Sequence, residues 1–567
     1  MAQRSPLRIG NASGFYGDRF SAVREMLEGG PLDVLTGDYL AELTMLILGR
    51  DRLKDPNAGY AKTFFRQMQE SLAIALAKKV RIVVNAGGLN PAGLAAALRG
   101  LTQKLGLDAR IAHVEGDDLM ARADALGLGS PLTANAYLGG WGIAECLRAG
   151  ADVVVTGRVT DASLVVGAAA AHFEWKRTDW DALAGAVVAG HVLECGAQAT
   201  GGNYAFFTEA ELGKPGFPIA EIDADGSSMI TKHPGTGGLV STDTVLAQIV
   251  YEITGARYAG PDVTTRFDSI ELLQDGKDRV RITGVRGEAP PPTLKVCLNH
   301  IGGFRNDAVF VLVGLDIEAK ATLAREQLEA ALPRRPRELV WNLMRTDRED
   351  ADDEARASAL LRVVAKDSDE SVVGRAFSGA AVELALSSYP GFTMTAPPGN
   401  GAPYGVYTAA YVDAKEVEHV AVLPDGTRTV VAHTTETRAL EPVVSTDASA
   451  GSAATHGETV RAPLGRIMGA RSGDKGGDAN IGVWARNDDA FAWLVHTLDD
   501  ALLRKLMPEV AELPVERHVF PKLRAMNFVV RGLLGEGVSS STRFDPQGKA
   551  LGEWLRARHV DVPRALL

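Results

Sequence analysis

Residues 7 to about 200 alternate between short apolar runs and helix-forming stretches, and this alternation constrains the fold more than any other feature of the sequence. The apolar runs lie at 7–10, 33–38, 80–84, 110–114 and 152–155. Mostly apolar strands separated by helices are typical of a parallel sheet that helices cover on both faces. We therefore predict, for residues 1–215, an α/β N-terminal domain with a mainly parallel sheet and flanking helices.

The rest of the chain has a different pattern. After residue 215, short β-forming runs are divided by Gly, Pro and Asp, and a helix-forming stretch follows at 317–345. We predict a β-rich α+β middle region over residues 216–440. Small and polar residues at 441–462 leave little to bury, so this segment is predicted to be a linker. Residues 463–567 are predicted to form a small C-terminal α+β domain.

Composition excludes several classes of protein. The chain has 567 residues, a net charge of −11 and a pI near 5.6, whereas a nucleic-acid-binding protein normally presents a basic face. No apolar run of about 18 residues is free of charge, so we expect no membrane partner. Cys146, Cys195 and Cys297 are widely spaced and form neither a disulfide framework nor a zinc pattern. We predict a cytoplasmic protein in a reducing compartment.

Glycines and polar residues follow four of the five predicted strands. In open parallel sheets, ligands bind beyond the carboxyl ends of the strands. Asp161 is a candidate proton carrier there, although polar residues at these positions are also preferred helix caps. No loop carries a dinucleotide-binding or P-loop fingerprint. The candidate binding residues at this edge are Asn85, Gly87, Gly88, Asn90 and Arg158.

Two later segments combine a titratable side chain with a run of glycines. Glu194 precedes the first run and is a candidate general base. His233 precedes the second run and is a candidate acid or base, although a histidine before proline also occurs in solvated turns. Backbone N–H groups of the second run, at the start of a predicted helix, would form an anion or oxyanion site. The candidate binding residues of the two runs are Gly201, Gly202, Asn203, Gly235, Gly237 and Gly238.

The densest combination of glycine and charge lies at residues 471–480, which we predict to be a loop between two strands. Such a loop suits an anionic ligand, held by backbone N–H groups and cationic side chains. Asp474 is a further candidate proton carrier. The alternative is a hairpin loop that its own Asp–Arg pairs stabilise. The candidate binding residues are Arg471, Ser472, Lys475 and Asn480.

The order of five motifs resembles that of the acyclic terpene utilisation (AtuA-like) family over nearly the whole chain. These motifs are Asn85–Pro91, Val155–Asp161, Glu194–Asn203, His233–Gly238 and Arg471–Asn480. The resemblance implies that the C-terminal domain is ferredoxin-like. It also implies a role in the bacterial breakdown of citronellol, geraniol and related branched acids through coenzyme A thioesters. It assigns neither a reaction nor a catalytic residue.

The leading functional hypothesis is a hydratase or lyase that acts on a branched acyl-CoA, without a permanently bound cofactor. The predicted proton carriers are Asp161, Glu194, His233 and Asp474, with backbone donors on the thioester oxygen. One alternative is an acyl-CoA transferase or thioester hydrolase with Glu194 as nucleophile. Another is a non-catalytic acyl-CoA-binding or scaffold protein. No ligand spacing supports a metal site, and a homo-oligomer is expected.

Overall fold

The computed structural model describes residues 4–441 and 457–567, which form two compact units. The first unit comprises the chain up to Asn299, Tyr407–Val538 and Gln547–Leu567, and the second comprises His300–Val406 and Ser539–Pro546. The domain boundaries predicted at 215 and 441–462 stay predictions. Residues 442–456 of the predicted linker lie outside the described residues.

The N-terminal part of the first unit alternates strands and helices. The strands are β1 (Leu7–Asn11), β2 (Val34–Gly37), β3 (Arg81–Val84), β4 (Ile111–Glu115), β5 (Thr133–Ala136) and β6 (Val153–Thr156). The helices are α1 (Ala22–Gly29), α2 (Glu42–Lys54), α3 (Lys62–Lys78), α4 (Pro91–Leu105), α5 (Trp141–Arg148), α6 (Ser163–Phe173) and α7 (Trp180–Glu194).

The predicted parallel sheet is confirmed. Strands β1, β2, β3, β6 and β4 are neighbours in that order, and each adjacent pair is parallel. Their carboxyl ends therefore meet at one edge. Local signals set the helix boundaries: Asn90 caps α4 by accepting the Gly93 N–H at 2.9 Å, and Gly106 ends it in the left-handed region (φ 64°).

The following segment extends this sheet with antiparallel strands. Its elements are β7 (Pro218–Ile222), β8 (Ser228–Lys232), α8 (Thr242–Ile249), β9 (Arg257–Ala259), β10 (Thr264–Arg266), β11 (Glu271–Gln274), β12 (Val280–Thr283) and β13 (Arg286–Glu288). The order at this end is β11, β12, β8, β7 and then β1. Strands β13, β10 and β9 form a separate antiparallel sheet.

The second unit is an antiparallel sheet with helices. Its elements, two of which continue into the first unit, are β14 (Thr293–Val313), α9 (Ile317–Ala331), β15 (Glu338–Met344), β16 (Ser358–Asp367), α10 (Glu370–Val373), α11 (Arg375–Glu383), β17 (Thr393–Met394) and β18 (Ala402–Asp413). Phe310, Leu361 and Phe377 are buried in its core. The helix predicted over 317–345 is wrong beyond Ala331, because Glu338–Met344 pairs with β16 as a strand.

The first unit then resumes. Strands β19 (Val420–Val422) and β20 (Arg428–Val430) form a hairpin and extend the large sheet beside β4. The C-terminal elements are β21 (Thr459–Pro463), β22 (Met468–Lys475), β23 (Asp478–Ala485), α12 (Asp488–Thr497), α13 (Asp500–Leu506), β24 (Val515–Phe520), β25 (Ala525–Val530), α14 (Leu551–Ala557) and β26 (His559–Pro563). Strands β22, β23, β25 and β24 form an antiparallel sheet in that order, as the predicted α+β domain requires. Within the described residues, no helix is long and apolar enough to cross a membrane.

Residues 471–480 do not form the predicted loop, because most of them belong to two paired strands. Strands β22 and β23 pair along their full lengths, and only Gly476 and Gly477 form the turn. Gly476 has a φ of 67°, which a tight hairpin turn requires and which glycine adopts readily. The segment is therefore a hairpin whose side chains point to defined faces, rather than an open loop around a ligand.

Asn480 and Gly482 on β23 fix this hairpin to the end of α8. The Asn480 carboxamide accepts the Glu252 N–H at 2.7 Å and donates to the Val250 carbonyl at 2.8 Å. A Cβ atom at Gly482 would lie 2.5 Å from the Val250 side chain and 2.6 Å from its carbonyl oxygen. The two surfaces therefore meet without room for another methyl group.

We expect Gly482→Ala to lower stability by about 1–3 kcal/mol, because the new methyl group must displace backbone as well as side chain. Gly100→Ala is the matched control: Gly100 lies within α4 and a Cβ there meets nothing within 4 Å. It should raise stability by up to about 1 kcal/mol. Thermal unfolding followed by circular dichroism compares the variants. Equal melting temperatures for Gly482→Ala and wild type would contradict this packing.

Candidate functional site

Buried polar side chains gather at the carboxyl edge of the parallel sheet. Asn85 donates to Asp38 Oδ1 at 2.5 Å and accepts the Tyr39 N–H at 2.7 Å. Asn11, at the end of β1, donates to the Leu193 carbonyl at 2.5 Å. This last bond ties β1 to the end of α7, which carries Glu194. The strand-end loops and the α7 terminus therefore supply one common cluster.

Arg158 is the buried cation of this cluster. Its side chain is 2% exposed, lies 2.7 Å from Asp161 Oδ1 and faces the ring of Tyr137 at 4.3 Å. Its backbone N–H donates at 2.8 Å to Asp117, which is itself buried and also accepts from Asn135 at 2.8 Å. Asp117 thus holds the loop that presents Arg158 and Asp161.

The carboxyl groups of Asp38, Asp161 and Glu194 are close enough for their charges to interact. Burial raises the pKa of Asp38 well above its ordinary value, and the charges of Asp161 and Glu194 add to that effect. Burial also raises the pKa of Glu194, although His191 opposes this. The His191 Nδ1 lies 3.1 Å from Glu194 Oε1. Asp38 and Glu194 therefore retain their protons to a higher pH than isolated carboxyl groups do.

The β22–β23 hairpin adds Asp474 and Lys475 to the cluster. Burial, with the charges of Glu252 and Glu42, raises the pKa of Asp474 to about 7. Burial alone would lower the pKa of Lys475, but Tyr258, Glu252 and other acids raise it. The charge of Lys475 also lowers the pKa of Glu194. The hairpin tip thus lies close to the strand-end cluster.

The cluster also contains residues that were not predicted from the sequence, among them Glu42, Tyr137, Lys295 and Tyr407. Tyr137 donates to Glu42 Oε1 at 2.9 Å, and Lys295 Nζ lies 3.9 Å from the same oxygen. Burial alone would raise the pKa of Glu42, but Lys295 and Arg158 lower it to about 2. Glu42 follows the β2 strand end by five residues, a position that could have suggested it. Lys295 lies within a long strand and carries no motif.

Several predicted binding residues instead make contacts inside the protein. The Arg471 guanidinium lies over the ring of Tyr251 at 4.2 Å and donates to Gln198. The Ser472 hydroxyl accepts the Gly552 N–H at 2.9 Å. With Asn480, these residues fix the hairpin in place, and Lys475 is the member of this group that projects into the cluster.

The predicted backbone donors of the glycine-rich turns are used within the chain. Each amide donates to a nearby carbonyl: Gly87 to Thr156, Gly88 to Asn85, Gly201 to Gln198, Gly202 to Ala197 and Gly238 to Glu211. Asn90 caps α4, and Asn203 takes a left-handed turn conformation (φ 58°). These five amides are therefore already paired within the chain, and the positive charge of the cluster comes from side chains.

The His233 segment lies apart from the cluster. The His233 ring is buried beside Gly29 and Gly30, and its Nε2 lies 2.9 Å from the Met26 carbonyl oxygen. Burial, with Arg8 and Lys78, lowers its pKa. Gly235 and Gly237 precede α8 by several residues, and Ser241 caps that helix with its own hydroxyl. Gly235 and Gly237 therefore do not lie at the helix N-terminus, where the predicted anion site places them.

The Asp478 carboxylate, on the β22–β23 hairpin, accepts from Arg531 at 2.7 Å and from the Gly532 N–H at 2.8 Å. Among residues 4–441 and 457–567, no three His, Cys, Asp or Glu side chains are grouped as a metal site requires.

Comparison with known families identifies the chain. The model of the acyclic terpene utilisation family protein AtuA matches residues 7–423, and that of the AtuA ferredoxin-like domain matches residues 462–561. The chain belongs to the acyclic terpene utilisation (AtuA) family. No curated protein and no solved structure matches it. Because Lys475 lies in the ferredoxin-like region and Arg158 in the other, both matched regions of this AtuA-family protein contribute to the cluster.

We expect the stability of the protein to fall as the pH rises from about 4 through 7, in part because of Asp474. Its pKa is about 7 in the folded protein and 3.8 ordinarily, so over this range the folded form holds a proton that the unfolded form has lost. Asp474→Asn removes the contribution of Asp474 to this dependence. We compare the free energy of unfolding of the variant with that of the wild type. The difference, variant minus wild type, should be larger at pH 8 than at pH 5 by about 1 kcal/mol or more.

Urea unfolding at a series of pH values measures this difference. Asp489→Asn is the control, because Asp489 lies exposed in the first turn of α12 of the same domain. Parallel stability curves for Asp474→Asn and wild type would show that Asp474 ionises normally.

Proposed function

We propose that the protein is a hydratase or lyase that acts on a branched acyl-CoA thioester in acyclic terpene utilisation. The observation that supports this is the pairing of two neighbouring carboxyl groups in different environments. Glu194 is 9% exposed and its pKa is raised, chiefly by burial, whereas Asp161 is partly exposed and lies 2.7 Å from Arg158. Unequal environments let one carboxyl group donate a proton while the other accepts one.

Dehydration of a 3-hydroxyacyl thioester uses both groups. Asp161 takes the proton from C2, and the electron pair of that C–H bond forms the C2–C3 double bond. The C3–O bond breaks as Glu194 gives its proton to the departing hydroxyl group, which leaves as water. Hydration of the 2-enoyl thioester is the same sequence in reverse.

Negative charge develops on the thioester oxygen when C2 loses its proton, and the site must stabilise it. Five of the glycine amides predicted for this purpose donate to carbonyl groups of the chain: Gly87, Gly88, Gly201, Gly202 and Gly238. Arg158 is the cation nearest to Asp161, and in a buried site its charge acts through a low dielectric constant. Side-chain charge therefore replaces backbone donors in this proposal.

A covalent mechanism with Glu194 as nucleophile is the less favoured alternative. A carboxyl nucleophile must be ionised, and the raised pKa of Glu194 opposes ionisation. The same raised pKa suits a proton donor. The raised pKa therefore favours the hydratase or lyase over an acyl-CoA transferase or thioester hydrolase.

We expect Glu194→Gln to reduce turnover by about 100-fold or more, because the amide cannot transfer the proton. The assay incubates the protein with a panel of branched 2-enoyl- and 3-hydroxyacyl-CoA thioesters and follows the gain or loss of about 18 mass units, one water. Glu209→Gln is the matched control, since Glu209 is exposed and pairs with Arg486 away from the cluster. It should retain full activity.

Other outcomes separate the alternatives. An adduct of Glu194 that hydroxylamine releases would establish the covalent mechanism. Thioester binding by the wild-type protein without any product would indicate a binding or scaffold protein. Full activity of Glu194→Gln would remove Glu194 from the site.

A further inference from the structure

We propose that Lys295 and Lys475 together hold a carboxylate at the far end of the acyl chain, so that the substrate is a dicarboxylic acyl-CoA. This inference rests on the proposed function and adds the chemical class of the substrate.

Lys295 presents an ammonium group that has no hydrogen-bond partner among the described residues. Its Nζ lies 4.8 Å from the ring centroid of Tyr137 and 5.6 Å from that of Tyr407. The nearest carboxylate oxygen, on Glu42, is 3.9 Å away and beyond hydrogen-bond length. The side chain is 27% exposed, so a ligand can reach a group whose N–H donors are all available.

The Lys475 ammonium group also lies over an aromatic ring. Its Nζ lies 5.4 Å from the ring centroid of Tyr258. No carboxylate within the parts of the chain that the structure describes lies within 4 Å of it. Aromatic faces hold both ammonium groups in position and leave their N–H donors free.

Tyr407 connects the two lysines. A Cβ atom at Gly476, the residue after Lys475, would lie 2.8 Å from the Tyr407 ring. The hairpin tip therefore touches the ring that Lys295 faces. The charge of Lys475 also adds to burial in lowering the pKa of Lys295. Two like charges so close together repel each other, and an anion between them would remove that cost.

The Tyr407 hydroxyl is a third donor at this place. It is buried and lies beside the Tyr137 hydroxyl, which donates its own proton to Glu42. Most buried hydroxyl groups in proteins have a hydrogen-bond partner. A ligand oxygen that accepts from Tyr407 would complete the set of contacts.

The position of this subsite favours a carboxylate of the acyl chain over a phosphate of coenzyme A. The charge of Lys475 acts on Glu194, so the subsite adjoins the proton-transfer groups, where the acyl part of the substrate must lie. The acyl chain therefore carries a second acid group within reach of both ammonium groups.

Calorimetric titration with glutaryl-CoA and valeryl-CoA tests this inference, because the two thioesters have the same chain length and differ in the terminal carboxylate. Wild type should bind glutaryl-CoA about 10-fold or more tightly than valeryl-CoA, as a charged hydrogen-bonded contact predicts. Lys295→Met and Lys475→Met should each lose most of that preference and keep their affinity for valeryl-CoA. Lys522→Met, which removes a surface lysine paired with Glu271, should keep the preference. Thermal unfolding verifies that each variant is folded.

The remaining outcomes are distinct. Equal affinity of wild type for the two thioesters would overturn the inference and leave the acyl-CoA function standing. Weaker binding of both thioesters and of free coenzyme A in the lysine variants would overturn it in favour of a phosphate contact. If neither thioester binds but free glutarate does so through both lysines, the carboxylate subsite is supported and the proposed function falls.

Discussion

The buried carboxamide of Asn480 is the contact on which the arrangement of the site depends. It accepts from the Glu252 backbone and donates to the Val250 carbonyl and to Asn527. A buried amide with its donors and acceptor paired fixes both partners, because breaking any one bond leaves an unsatisfied group. This contact sets the register of the hairpin against α8. The hairpin then carries Lys475 to the edge of the parallel sheet.

Neighbouring charges shift the pKa values of two acidic side chains in this region in opposite directions. The pKa of Glu42 falls to about 2 because Lys295 and Arg158 outweigh the effect of burial. The pKa of Asp474 rises to about 7 because burial is reinforced by Glu252 and Glu42. Groups whose pKa values are driven apart in this way are typical of sites that transfer protons. The same separation is also costly to stability, since buried charges lose their hydration.

The sequence was most informative where hydrophobic pattern decides structure. Apolar runs divided by helices predicted the parallel sheet, and the sheet topology then placed Asn85, Arg158 and Asp161 at one edge. Helix α2 was missed because it has no side-chain cap and leaves Leu43, Ile47 and Leu53 exposed, so it shows no clear apolar face. Lys295 could not be found, because a single lysine on a strand has no motif and gains its neighbours only from the fold.

The glycines were the source of the main misinterpretation. The glycines of 471–480 suggested an open loop, but two of these residues serve packing: a Cβ at Gly473 would lie 2.4 Å from the Tyr251 ring, and one at Gly477 would lie 2.2 Å from the Gly535 carbonyl oxygen. The turn amides at Gly87 and Gly202 suggested donors for a ligand, but they donate to the Thr156 and Ala197 carbonyls instead. Glycine content alone does not distinguish close packing from ligand approach.

The C-terminal hundred residues serve three parts of the molecule at once. They supply Lys475 to the cluster and, through Arg471, cover Tyr251. Their segment 539–546 belongs to the second unit, where Arg305 donates to the Ser539 carbonyl at 3.1 Å and Lys366 to the Ser540 hydroxyl at 3.1 Å. Exchange of this region between relatives by recombination would therefore succeed only if all three sets of contacts were inherited together. The sequence of this region must therefore evolve together with the sequence of the rest of the chain.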